Sequence, residues 1–332
     1  MNLKLVASSL ALLAGLCASA LAADPVRFMV MGDCRNYPGF TTILEKVKAL
    51  PDGPGSFVVT PGDIDPPDLV RAEITKVLGD KYTWFPVVGN HDATKTAIPY
   101  LRKYFSKEQL AALPPQVTNF TPGPEGTSET TYSFDAGPVH FVVTNQYWDG
   151  TTKADADIKV GGDVLPVLNQ WLDADLKKTT KPWKVVFGHE PAYPQADQDW
   201  SRLEPNSNTA RHAGSSLNAH EEHRDAFIKT LVDNKVAVFF CGHTHRYSRF
   251  QIPGTNIWQL DSAVARGGTD WKFDAFTAVT ATETEFKVKV YRNLKTKGEF
   301  EETDKLELKA GEAAASQPAT QATSAPTAAK NP

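Results

Sequence analysis

Phe85-Pro86-Val87-Val88-Gly89-Asn90-His91-Asp92 is the stretch from which the rest of the chain is read. A short β-branched run ending in Gly predicts a buried strand that stops in a tight loop. That loop presents an amide oxygen, an imidazole and a carboxylate side by side. Alone, an Asn-His-Asp loop is more often a turn than a site. Its weight comes from repetition. Residues 26–31 run into Gly32-Asp33, residues 57–61 into Gly62-Asp63, residues 184–187 into Gly188-His189, and residues 236–241 into Gly242-His243-Thr244-His245.

Helical periodicity over 39–50 and 69–78 separates the first three strands, so the chain begins strand, helix, strand, helix, strand. That order predicts an α/β fold with sites where the carboxyl ends of the strands meet the loops. Two antiparallel strands follow at 132–135 and 139–145, then helices at 167–178 and 222–234. Between these helices a polar insert, about 193–221, lacks periodicity, and long loops of that kind are often functional. Past Arg249 the texture changes to strands at 256–260, 277–282 and 285–291, expected as a second, antiparallel portion packed on the first.

Residues 1–22 carry Lys4, an apolar core and an Ala20-Leu21-Ala22 ending, the pattern of a secretory signal peptide rather than a membrane span. Leu16 before Cys17 argues against a lipoprotein site. No later stretch is long and apolar enough to cross a membrane, so an exported protein, periplasmic or secreted, is expected. Losing Lys4 takes the formal charge from −4 to −5, with no basic run for nucleic acid or a membrane surface. Cys34 and Cys241 then remain; they either pair, if their loops meet in an oxidising compartment, or are small residues at crowded strand ends. Residues 23–310 are read as one domain, and 311–332, rich in Ala, Thr and Pro, as a disordered tail.

Asp33, Asp63, Asn90, His189, His243 and His245 are oxygen and imidazole donors placed just past apolar runs. Mixed sets of this kind suit Zn, Mn, Fe or Co rather than Ca. A carboxylate bridging two such ions would hold them about 3.5–4 Å apart, the geometry for displacement at phosphorus.

In their order along the chain these motifs resemble those of the calcineurin-like metallophosphoesterase superfamily, over roughly residues 26–250. The resemblance implies a four-layer α/β/β/α sandwich with a two-metal site at one edge, its ions Mn, Zn or Fe. It makes Asp63 the bridging ligand. Asn90, His189 and His243 complete one metal, and Asp33 and His245 bind the other. A metal-bound hydroxide would attack phosphorus, His91 would protonate the departing oxygen, and Asp92 or Asp65 would orient His91.

The first motif departs from the family pattern. Most members have Asp-any-His there, but this chain reads Asp33-Cys34-Arg35. Purple acid phosphatase relatives instead carry a Tyr three residues after the bridging Asp, where this chain has Pro66. Cys34 thiolate, Asp65 or water is left to substitute for the lost ligand. Arg35, always cationic, is expected either to clamp a substrate phosphate or to make a structural ion pair. The insert adds Arg211, His212, His220 and His223, with His212 a candidate for touching substrate. Trp148, Tyr193 and Trp271 are candidates for a pocket lining.

The expected function is therefore an exported metal-dependent hydrolase of small phosphate mono- or diesters. Two other readings stand beside it: a degenerate relative that binds a phosphorylated ligand without turnover, and an exported structural domain tethered by its tail.

Overall fold

The computed structural model describes residues 24–35, 39–94, 96–105, 110, 112–151, 161–202, 208–267, 274–294 and 299–311. The expected signal peptide, the tail beyond 311 and Trp271 lie outside these residues.

Each of the first three strands gives one face to each of two cores. In β1 (Val26–Val30), Val26, Phe28 and Val30 enter a core shared with the second sheet, while Met29 packs under helices. In β2 (Phe57–Thr60), Phe57 and Val59 point to the first core and Val58 to the second. Strands covered on both faces read as continuous apolar runs rather than as alternation, which is why these stood out in the sequence. Helices α1 (Phe40–Lys48) and α2 (Pro67–Leu78) make the crossovers, so β1, β2 and β3 (Thr83–Pro86) lie parallel.

A second sheet repeats the arrangement. It contains β4 (Val117–Pro122), β5 (Tyr132–Ala136), β6 (Val139–Val143), β7 (Trp183–Phe187), β8 (Val238–Cys241), β9 (Tyr247–Gln251) and β10 (Trp258–Ser262), in the order β4-β5-β6-β7-β8-β10-β9. Strands β6, β7, β8 and β10 are parallel. Helices α4 (Pro166–Leu176) and α5 (Glu221–Asp233) cover its outer face through Leu168, Leu172, Phe227 and Leu231, packed on Val186 and Phe239. Between the sheets runs an aromatic stack, with the ring centroids of Phe85 and Phe134 4.0 Å apart and those of Phe134 and Phe141 4.8 Å apart. The result is the expected four-layer α/β/β/α sandwich.

The late strands do not form a second portion. Strands β11 (Ala275–Ala281), β12 (Glu285–Arg292) and β13 (Glu301–Lys309) extend the first sheet antiparallel from β1, in the order β13-β12-β11-β1-β2-β3, while β9 and β10 complete the second. Hydrogen bonding to open sheet edges wins over a separate core, because Phe286, Val288 and Val290 gain the same inter-sheet core as Phe28. Four elements have weak sequence signals. Helix α3 (Ala97–Tyr104) carries Pro99 in its first turn, where Pro is tolerated because no intrahelical N–H bond is lost. Strand β13 is charged, as suits a sheet edge, and β4 and β9 are largely polar edge strands.

Candidate metal centre

Five loops converge where the carboxyl ends of β1, β2 and β3 meet those of β7 and β8. Backbone bonds tie them: Asp33 N–H donates to Gly62 O at 3.0 Å and Gly242 N–H to His189 O at 2.8 Å. His243 N–H reaches across the sheets to Asp33 Oδ2 at 2.9 Å. The glycine that opens each ligand loop has a steric cause. Gly62 has φ +82°, and a Cβ there would lie 2.2 Å from His189 Nδ1; one on Gly242 would lie 2.5 Å from Asp33 Oδ2. Six of the nine non-glycine residues with positive φ among the described residues are Asp33, Arg35, Asp63, His212, His243 and His245. Strain of this kind is held where surrounding structure over-determines it, and here it marks the site.

All six expected ligands are brought together. Asp33, Asp63 and His245 have donor atoms within 4.8 Å of one another. On the other side of Asp63, His189 Nε2 lies 3.4 Å from Asp63 Oδ1 and 3.1 Å from Asn90 Oδ1, and His243 Nδ1 lies 3.1 Å from the same amide oxygen. The outer nitrogens of these two imidazoles face carbonyls, His189 Nδ1 to Pro61 O at 2.7 Å and His243 Nε2 to Ser215 O at 3.3 Å. A carbonyl partner fixes the outer N–H and turns the lone pair inward, the usual orientation of a metal-ligating histidine.

Electrostatics agree with a cation site. Burial pulls the pKa of His189 down, but the Asp63 and Asp33 carboxylates outweigh it and lift it to about 9. Burial dominates at His243, which falls to about 2 with the charge on His189 and His212 adding to the effect. Burial raises Asp33, yet His245, His189 and Arg266 hold its carboxyl well below the usual range. Its buried Oδ1 receives no well-directed hydrogen bond, although His245 Nε2 lies 3.1 Å away. An orphaned carboxylate oxygen amid inward-facing imidazole and amide donors fits a borderline metal ion.

Several expected roles change. Asp92 does not orient His91: its Oδ1 accepts from Ile64 N–H at 2.9 Å and its Oδ2 from Gly89 N–H at 2.8 Å. It pins the Asp63 loop to the Asn90 loop. Asp65 is likewise engaged, with Arg35 Nε 2.8 Å from one carboxylate oxygen and Nη2 2.9 Å from the other. Arg35 therefore makes the ion pair, its fork facing Asp65. Cys34 packs beneath the helices and outside the Asp33–Asp63–His245 cluster, where burial pushes its thiol well up, with the Asp92 and Asp33 charges adding. Both cysteines are free. His91 is 45% exposed, its ring Nε2 3.8 Å from Asp63 Oδ2 and its backbone N–H 3.0 Å from Asp63 Oδ1.

The insert does reach the centre. His212 stacks on His243 with ring centroids 4.3 Å apart, and Arg211 Nη1 meets His245 Nδ1. His223 instead pairs with Asp163 at 2.7 Å, and His220 precedes α5. Trp148 and Tyr193 pack in the helix-facing core. Sequence reasoning missed Arg266, which touches His245 Nε2 at 3.1 Å and donates from Nε to Asp33 O at 2.9 Å. It missed Gln146 too, whose Oε1 accepts from His189 N–H at 2.8 Å and Glu190 N–H at 2.7 Å. Arg266 lies in no motif; Gln146 follows a strand, the one signal that pointed to it.

Comparison with known proteins places the site in context. The family model described as calcineurin-like phosphoesterase matches residues 26–247. Purple acid phosphatase 22 of Arabidopsis thaliana is 28% identical over 237 residues, 68% of this chain and 46% of that protein. Probable purple acid phosphatase 20 from the same plant is 24% identical over 235 residues, 68% of this chain and 47% of that protein. The chain thus spans less than half the length of these relatives. A solved structure described as PhoD covers 86% of this chain and 70% of its own at a TM-score of 0.56 and 11% identity, a likeness of fold.

Proposed function

Since the chain belongs to the calcineurin-like phosphoesterase family, we propose that it is an exported metal-dependent hydrolase of small phosphate mono- or diesters. One observation carries the reading: all six ligand-type residues converge around Asp63, with the half-exposed His91 at the edge of the same cluster. Asp63, Asn90, His189 and His243 would hold one ion, and Asp63, Asp33 and His245 a second. When bound, the ions supply Lewis-acid chemistry toward a phosphoryl oxygen and acidify water near neutral pH.

The chain's own residues do the rest. His91 is fixed by its backbone N–H on Asp63 and is the group able to give a proton to the departing oxygen. Beside it lies a cavity of about 340 Å3 lined among others by Pro66, Pro67, Thr94, Thr96 and Tyr100, which would take the leaving alcohol. Export rests on residues 1–22. The reading of a binder without turnover draws on the arginines crowding His245.

Hydrolysis of an aryl phosphate and its bis-aryl diester, on signal-free protein reloaded with Mn, Zn or Fe, tests the proposal. Metal-dependent turnover that drops by about 100-fold or more in His91→Ala is expected. No turnover with any ion, although metal binds, would establish the binder instead.

A further inference from the structure

The two halves of the centre are built differently. His189 and His243 each turn one nitrogen outward to a carbonyl and the other inward to Asn90. His245 is set differently, with guanidinium groups at both of its ring nitrogens. Its Nδ1 meets Arg211 Nη1, and its Nε2 lies 3.1 Å from both Arg266 Nη2 and Asp33 Oδ1. A neutral imidazole has one lone pair, so whichever nitrogen His245 offers to an ion, a guanidinium stands against that nitrogen. Arg266 is not placed to withdraw. It is 3% exposed, its Nε donates to Asp33 O at 2.9 Å, and its backbone N–H donates to Asp274 Oδ1 at 2.9 Å. Arg211 sits on a turn of the insert and is half-buried, so it has room to move.

Charge strengthens the asymmetry. A divalent ion approaching Asp33 and His245 meets two fixed or nearby positive charges in a buried setting, where screening by water is weak. The Asn90 side offers two imidazoles and an amide oxygen beside Asp63, His189 releasing its second proton to an incoming ion. Arg35, standing where family members carry a ligating His, adds no donor to the Asp33 side. Resting on the metal-dependent reading above, we propose that the centre holds one ion tightly through Asp63, Asn90, His189 and His243. The Asp33–His245 half is charge-balanced by Arg266 and Arg211 and takes a second ion weakly and exchangeably, with Arg211 moving aside. The arginines thus set metal stoichiometry, and at low metal supply the enzyme is a one-ion protein with guanidinium beside its substrate site.

The test is titration of chelator-stripped, full-length mature protein with Mn2+ alone, read by equilibrium dialysis with elemental analysis and by electron paramagnetic resonance. Two binding steps separated by at least about 10–100-fold are expected, the scale on which groups around a ligand tune metal affinity. The first equivalent should give the six-line spectrum of an isolated Mn2+. Arg211→Gln should tighten the second step by about tenfold and leave the first in place. His245→Ala should remove only the second step, and His189→Ala should remove the first. Two wild-type steps within threefold of each other, a spin-coupled pair at the first equivalent, or loss of the first step in His245→Ala would overturn the proposal while leaving the phosphoesterase reading intact. Absence of any Mn2+ binding would overturn both.

Discussion

Asp92→Ala is the substitution that best separates a structural latch from a catalytic role. Asp92 is fully buried, and its two oxygens accept the Ile64 and Gly89 amides at 2.9 and 2.8 Å. Alanine leaves both N–H groups buried without acceptors, at about 1–3 kcal/mol each, or roughly 2–6 kcal/mol together. Against a total stability of about 5–15 kcal/mol this is a large fraction. The damage is directional, because Ile64 follows Asp63 and Gly89 precedes Asn90. Metal affinity should fall with stability. Asp92→Asn keeps the shape but turns an NH2 toward one of the two amides, so it should lose about half as much. Urea unfolding followed by circular dichroism, with Mn2+ titration on the same samples, measures both effects. If Asp92→Ala costs under about 1 kcal/mol and keeps wild-type metal affinity, the latch is wrong. A shift confined to the pH profile of turnover would restore the role of orienting His91.

Three other substitutions test parts of the frame. Gly62→Ala puts a Cβ 2.2 Å from His189 Nδ1 at φ +82°; it should cost roughly 2–5 kcal/mol and abolish metal retention, and normal metal content would refute the steric account. Arg292 is fully buried and grips Asp197 with two bonds of 2.9 Å and Asp199 with one of 2.7 Å. Arg292→Met strands these carboxylates and should cost about 3–5 kcal/mol, partly recovered by adding Asp197→Asn; a thermal melt within two degrees of wild type would count against it. His140 lies 2.7 Å from Asp135 and 3.0 Å from Asp175. Burial lowers its pKa, but the two carboxylates outweigh that and leave it raised. A raised folded pKa contributes stability that is full below about pH 6.5 and is lost as pH climbs through the folded value. As pH rises above about 6.5 the wild type should therefore lose more stability than His140→Gln, and equal losses in urea unfolding would refute the assignment.

Much of the frame was readable before any coordinates. Strands buried on both faces must be apolar throughout, and Phe28, Val58 and Phe239 announce them without ambiguity. A ligand loop must follow each strand, with glycine where a side chain would strike its neighbour, so Gly62-Asp63 and Gly242-His243 are visible as pairs. Edge strands escape this logic. Strand β13 needs charge on its open side and only a few inward apolar residues, so Glu301–Lys309 reads as solvent-exposed chain. The belief that the late strands pack separately failed because alternation tells which face is buried, not which sheet edge a strand joins.

Side-chain commitments are harder still. Arg35 and Asp65 each had two plausible employments by residue type and Asp92 had one, and only proximity assigned them. Arg35 is thirty residues from Asp65 along the chain yet 2.8 Å away in space. Arg266 is 233 residues from Asp33 along the chain and is in contact with it in the fold. The sequence by itself determined the layered α/β architecture, the positions of the ligand loops and the kinds of donor in them, since these follow from local periodicity and chemistry. Tertiary structure alone decided which carboxylates hold backbone instead of His91 and which arginines stand at His245. Those outcomes depend on distances between residues far apart in the chain, and short-range pattern carries no information about them.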